Sequence, residues 1–289
     1  MENVVMKEAA WRHFGGFCYA ETVNREMTGK ECEALEYSGG KAKENGEGYG
    51  TVQKTEEKFN EESKRTELLN RQGMDVIGNL KHYEVIKECL ILRPLYLEHV
   101  VSQGNQFVYQ KEGDIALVLY VTLLDDSTGL ASMKITKGIF ECWQRSKEEV
   151  MQEALSNMFR NNVPRILRRV EDCLNPAYLG EAFMSAEQEM KFLERNSVPV
   201  VTTTKKLNGA MAMFYPGVRE KLAELFGDSY YVVFTSIHEA RLHCKGTVPV
   251  ERMRWSLKEV NRTFPEDEKL TEKIYFYDKD RNRFEEVTY

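Results

Sequence analysis

The apolar positions along the chain change their period several times, and each period predicts an element. Residues 114–126, "DIALVLYVTLLDD", form an almost unbroken apolar run, the pattern of a central strand covered on both faces. Asp-Asp-Ser-Thr-Gly follows as turn chemistry, and "LASMKIT" returns as an antiparallel neighbour. Residues 83–97, "YEVIKECLILRPLYL", are rich in β-branched and aliphatic side chains and predict one or two further strands. From residue 136 the spacing turns helical through Ile139, Trp143, Val150, Ala154 and Met158. Ser146 followed by Glu149 is the pattern of a capping box, so a new helix is expected to start there and to end before Pro164. Residues 166–174 and 181–194 are expected to add two more helices.

The last third alternates cleanly. "VPVVTTT" and "GAMAMFY" predict two strands, with Asn208-Gly209 between them as a hairpin signal. Pro216 opens a helix through Phe226, which Gly227-Asp228 stops. "SYYVVFTSI", "EARLHC" and "KIYFYD" predict strands. Between the last two, Val250, Met253, Leu257 and Val260 mark an amphipathic helix. Long helices among hairpin-like strands give an α+β class, a mixed or antiparallel sheet packed by helices.

The N-terminal quarter differs. The first 26 residues are expected to form a short helix contacting through Val5, Ala9, Trp11 and Phe14. Residues 27–68 are rich in Gly, Lys, Glu and Asn, with few aliphatic residues to offset the entropy of ordering them. The expected organisation is therefore an N-terminal helix and flexible charged region, 1–69, then a globular region, 70–289, divisible at 70–196 and 197–289.

Composition narrows the classes of function. With 42% hydrophobic residues among 289, the chain can build an ordinary core. A net charge of −6 argues against a general nucleic-acid coat. No apolar run reaches the roughly 20 residues of a membrane span, and the start lacks a basic-then-apolar secretion pattern. Cys18, Cys32, Cys89, Cys142, Cys173 and Cys244 are scattered without a C-x-x-C, which suits reduced thiols and a cytoplasmic setting.

The densest chemistry lies in "TSIHEARLHC", residues 235–244. His238-Glu239 with His243 makes H-E-x-x-x-H, one residue longer than the H-E-x-x-H of a zinc helix. Five residues turn a helix by about 500° and put the two rings on different faces, while an odd strand separation puts them on opposite sides. No metal site and no cofactor is expected. A weaker possibility pairs His238 as acid–base with Glu239 or Ser236 assisting, but no G-x-S-x-G elbow surrounds Ser236. The structural alternative, that His238 and Glu239 satisfy backbone groups at a bend, is favoured. Fingerprints for a phosphate loop or dinucleotide fold are absent from the sequence. "RNNVPRILRR" gathers Arg160, Arg165, Arg168 and Arg169, the last three on one side of a helix if the segment is helical. Such a cluster can meet phosphates, although Glu171 and Asp172 nearby suit a solvated face better.

"LNGAMAMFYPGV", "YYVVFTSIHEARL" and "LKEVNRTFPEDEKLTEKIYFYD" together resemble a bacterial family, domain of unknown function 5688, found mainly in gut Firmicutes. "CLILRPLYLEH" and "GDIALVLYVTLLDDSTGLASMKIT" are similar to it too, so the resemblance covers about residues 70–280, strongest over 208–239. Where the family pattern has P-S-S-I-H-E this chain reads F-T-S-I-H-E, which loses a rigid proline before the bend. Gly209, Ala210, Tyr215, Pro216, Gly217, Ser236, Ile237, His238, Glu239 and Asn261 match. The resemblance implies a shared fold and a cytoplasmic setting but no activity. The leading expectation is a non-catalytic protein-binding or adaptor protein, with a mobile-element accessory or counter-defence role as one setting. The alternatives are a hydrolase or transferase whose pocket brings His238 beside Tyr215 or Asn261, and nucleic-acid binding through the Arg160–Arg169 cluster.

Overall fold

The computed structural model describes residues 6–14, 17–25, 73, 75–126, 129–175, 177–185 and 191–288. The expected flexible stretch, residues 27–68, lies outside them. The expected N-terminal helix is replaced by two antiparallel strands, β1 (Met6–Phe14) and β2 (Phe17–Arg25), with Phe14 opposite Phe17. A few apolar residues at helical spacing are a weak local signal, and cross-strand pairing overrides it.

The next elements are α1 (Tyr83–Ile86), β3 (Leu90–Tyr96), α2 (Leu97–Ser102), β4 (Tyr109–Glu112), β5 (Ile115–Asp126) and β6 (Gly129–Lys134). Of the segment expected as strands, only its second half is extended. Tyr83 to Cys89 are helical turns that lay Tyr83 and Ile86 onto the core. β5 is central as its pattern predicts: β3 pairs along one edge, and β4 and β6 share the other, all antiparallel. Ile115, Leu117, Leu119 and Val121 enter the main core, while Ala116, Val118 and Tyr120 face a smaller cluster around Val100. A strand with both faces covered has no position for a polar residue, which is why its sequence reads as a continuous apolar run.

Then come α3 (Lys137–Glu141) and α4 (Lys147–Asn161). The Glu149 N–H donates to Ser146 Oγ at 3.1 Å, so the expected N-cap forms. α4 buries Val150, Met151, Ala154 and Met158. Two expected helices do not form. Residues 164–167 are β7 (Pro164–Leu167), with a 3-10 turn, Val170–Leu174, after it. Glu181 is held in a bridge to Ile166, and no helix covers the described part of 181–194. Arg165, Arg168 and Arg169 therefore share no helical side.

The remaining elements are β8 (Val200–Thr203), α5 (Val218–Phe226), β9 (Tyr230–Ser236), β10 (Glu239–Cys244), α6 (Val250–Asn261), β11 (Tyr275–Asp278) and β12 (Arg283–Glu286). They form an antiparallel sheet in the order β12-β11-β9-β10-β8-β7. "GAMAMF" is not the expected strand. Gly209–Phe214 is a 3-10 helix with all six residues buried, so its continuous apolarity reflects envelopment on every side. β7 comes from before residue 196 yet completes the sheet of the last third. One apolar core also runs from Tyr83 through Ile166 and Met211 to Tyr277, so 70–196 and 197–289 do not enclose separate cores. α6 covers the sheet's other face through Val233, Met253, Leu257 and Ile274.

Candidate functional site

The bend between β9 and β10 lies against the start of the buried 3-10 helix. Asn208 adopts the left-handed region, φ +52°, and Gly209 follows it into a space where any side chain would overlap Thr202 Oγ1 and the His238 carbonyl oxygen. Asn tolerates that conformation better than most residues, and Gly is the residue for so close an approach. The bend's backbone is then satisfied group by group. The Ile237 N–H donates to the Glu268 carbonyl at 2.9 Å, and the Ala210 N–H donates to the Ile237 carbonyl at 3.2 Å. Thr202 Oγ1 donates to the His238 carbonyl at 2.9 Å, and the His238 N–H donates to Ser236 Oγ at 3.0 Å.

His238 itself accepts at Nδ1 from the Asn208 N–H, 3.1 Å away, so the ring proton sits on Nε2. Although part of the residue reaches solvent, the imidazole is packed deeply enough that desolvation, with the Arg93 charge adding to it, lowers its pKa from 6.5 to about 4. Near neutrality the ring is an uncharged hydrogen-bonding strut whose basic nitrogen is already in use. Glu239 turns away from it: Thr235 Oγ1 donates to its Oε1 at 2.8 Å, and Arg241 lies 3.6 Å from the same oxygen. A β-bulge between Glu239 and Ala240 resets the register after the bend, and His243 sits farther along β10 opposite Tyr231. Among the described residues no three His, Cys, Asp or Glu side chains converge on a metal position.

The depressed pKa gives a testable sign. The unfolded chain, with a histidine near 6.5, binds a proton that folded His238 refuses until about pH 4. Its contribution to stability is complete above pH 6.5 and is lost as pH falls through 4. Denaturant melts between pH 7 and 4 should show a loss that His238→Gln reduces. The His238 ring signals in NMR should stay those of the neutral form at pH 5.5, and a titration midpoint near 6.5 would contradict the packing.

The other sequence candidates lie elsewhere. Tyr215 is buried, with its OH donating to the Asn162 carbonyl at 3.2 Å and its ring edge-on to Phe159, and burial pushes its pKa up. Asn261 Nδ2 donates to the Thr271 carbonyl at 3.0 Å. Neither hydrogen-bonds to His238, Ser236 or Glu239. The four arginines are committed one by one. Arg160 donates to Asn157 Oδ1 and lies near Glu88 and Glu153, while Arg165 donates to Thr204 Oγ1. Arg168 pairs with Glu181 at 2.8 Å and donates to the Phe192 and Lys191 carbonyls; Arg169 is 3.6 Å from Asp172.

Sequence reading missed Arg93. Its Nε donates to Asn208 Oδ1 at 3.2 Å, its guanidinium lies 4.9 Å from the centroid of the Tyr120 ring, and Nη1 is 3.5 Å from Ser132 Oγ. The available signal was a lone charge inside the apolar run "LILRPLYL". Thus Asn208 joins β3 of the first sheet to the β9–β10 bend of the second, through its side chain on one side and its backbone on the other.

The fold and this site define an antiparallel α+β protein with a histidine-braced bend between its two larger sheets. The chain belongs to the family described as a family of unknown function (DUF5688), whose model matches residues 46–279. No curated protein and no solved structure matches the chain. Among the described residues no helix is long and apolar enough to cross a membrane.

Proposed function

We propose that this protein is a non-catalytic, cytoplasmic protein-binding or adaptor protein. What carries the reading is His238: the side chain best suited to acid–base work is neutral and has its basic nitrogen on the Asn208 N–H. Ser236 and Glu239, the residues that would assist it, are likewise engaged, Ser236 with the His238 N–H and Glu239 with Thr235. Support for a protein partner comes from Trp255, which stands 66% exposed on the outer side of α6. Exposed tryptophan is enriched at protein contacts because one large rigid ring buries much area at little entropic cost.

The test is affinity purification of the full chain from its native lysate, with and without nuclease, beside Trp255→Glu. The expected result is one stoichiometric, nuclease-resistant protein that Trp255→Glu releases. Recovery of the chain alone, or of a partner indifferent to Trp255, would remove the support, and turnover lost on His238→Ala would replace the reading with an enzymatic one.

A further inference from the structure

Arg93 and His238 come from different sheets, yet both are bound to Asn208, Arg93 on its side-chain oxygen and His238 on its backbone N–H. Each of these bonds occupies one nitrogen of the group. His238 Nδ1 is occupied, so Nε2–H remains a donor. Arg93 uses Nε on Asn208, and Nη1 makes only a long contact to Ser132, which leaves Nη2 without a partner among the described residues. No described carboxylate pairs with Arg93, whereas Arg145, Arg160, Arg168, Arg169 and Arg195 each have an acidic partner. A half-buried guanidinium without a counter-charge is costly, and stacking on Tyr120 offsets only part of that cost. Both residues keep partial solvent exposure.

The charge sets the ligand class. One permanent positive charge and one neutral N–H match a single negative charge shared over two oxygens, whereas a phosphate dianion would call for a second cation. We propose that Arg93 Nη2 and His238 Nε2–H form a binding notch for a carboxylate, bridged by Asn208. The carboxylate can come from a free organic acid or from the acidic side chain of a peptide; the recognising chemistry is the same. This inference does not depend on the protein-binding reading, because a free acid can occupy the notch without any partner.

The test follows the His238 ring and Arg93 Nε–H signals of the full chain by NMR during titration with acetate. A chloride titration at matched ionic strength and a capped pentaglutamate peptide form the parallel arms. Acetate should give saturable shifts at both groups, and chloride none that saturate. Arg93→Gln should weaken acetate by about tenfold or more, the cost of one charge-assisted hydrogen bond. The surface variant Arg262→Gln should bind as the parent does. Arg93→Lys keeps the charge and guards against a folding failure in Arg93→Gln; it should retain weakened binding. Peptide affinity well above that of acetate assigns the notch to a protein side chain, and equal affinity assigns it to a free acid. Linear shifts with acetate, shifts reproduced by chloride, or an Arg93→Gln protein that is folded and binds unchanged would each overturn the proposal.

Discussion

Replacing Gly209 by alanine is expected to destabilise the protein by about 3 kcal/mol or more, the upper part of the range for forcing atoms into a packed interior. The added methyl overlaps two fixed atoms, Thr202 Oγ1 and the His238 carbonyl oxygen, and also lies 3.1 Å from Thr202 Cβ. Neither neighbour can yield freely, because Thr202 donates to that same carbonyl across the contact. The carbonyl is held by the bend, whose Ile237 groups are bonded to Ala210 and Glu268. For a folded region of this size the melting temperature should fall by roughly 2–4 °C per kcal/mol, so a drop of about 6–12 °C is expected. Adding Thr202→Ala should recover only part of the loss, since it removes the hydroxyl but leaves the carbonyl overlap. A Gly209→Ala protein melting with the parent would mean that the bend does not approach the 3-10 helix this closely.

The second large effect belongs to Asp114. It lies in the turn between β4 and β5 of the first sheet and accepts from two residues next to or within β11 of the second. Thr271 Oγ1 lies 2.8 and 2.7 Å from its two carboxylate oxygens, and Tyr275 OH lies 2.5 Å from Oδ1. The Asp114 N–H donates back to the Tyr275 oxygen at 3.1 Å. The preceding Gly113, φ +64°, leaves no room for a side chain beside the Tyr275 hydroxyl. Burial and the Asp114 carboxylate together raise the Tyr275 pKa, so the phenol stays a donor.

Asp114→Ala removes the carboxylate acceptor of two buried hydroxyls, leaving Tyr275 OH only the Glu112 carbonyl, at 3.2 Å, to donate to and Thr271 Oγ1 only the Lys273 N–H. It is expected to cost about 2–4 kcal/mol, since an unsatisfied buried polar group costs roughly 1–3 kcal/mol. Tyr275→Phe removes one donor and should cost less. Because the two changes break the same bond, the double variant should be less destabilised than the sum of the singles, measured by urea denaturation. Strict additivity would show that Asp114 and Tyr275 act independently and that this contact does not couple the sheets.

The patterns that could be read along the chain are those in which one element's surroundings are uniform. β5 reads as an unbroken apolar run because both of its faces are covered. α4 and α6 read as stripes because each buries one side and solvates the other. The N-cap at Ser146 is local chemistry, settled within four residues. Even the argument against a His238–His243 chelate needs only the spacing, which fails on either a helix or a strand.

Elsewhere tertiary surroundings replaced local preference. "GAMAMF" carries a strand's composition, but it is enclosed on all sides and winds as a 3-10 helix behind a left-handed Asn208. "PRIL" lies between helix-like residues and becomes an edge strand because β8 offers it hydrogen bonds. The basic cluster disperses for the same reason, since Arg165 is placed by that strand and Arg168 is drawn to Glu181.

The sequence by itself determined the α+β class, the central strand, the amphipathic helices and the family, because period, caps and short motifs are local and survive without knowledge of partners. Only the tertiary structure decided which residues meet. Arg93 and Asn208, 115 positions apart, and Asp114 and Tyr275, 161 apart, become neighbours because the two larger sheets share one core. The same packing turns His238 from an apparent acid–base candidate into a neutral strut, since a histidine's charge is set by the desolvation and charges around it and these come from distant segments.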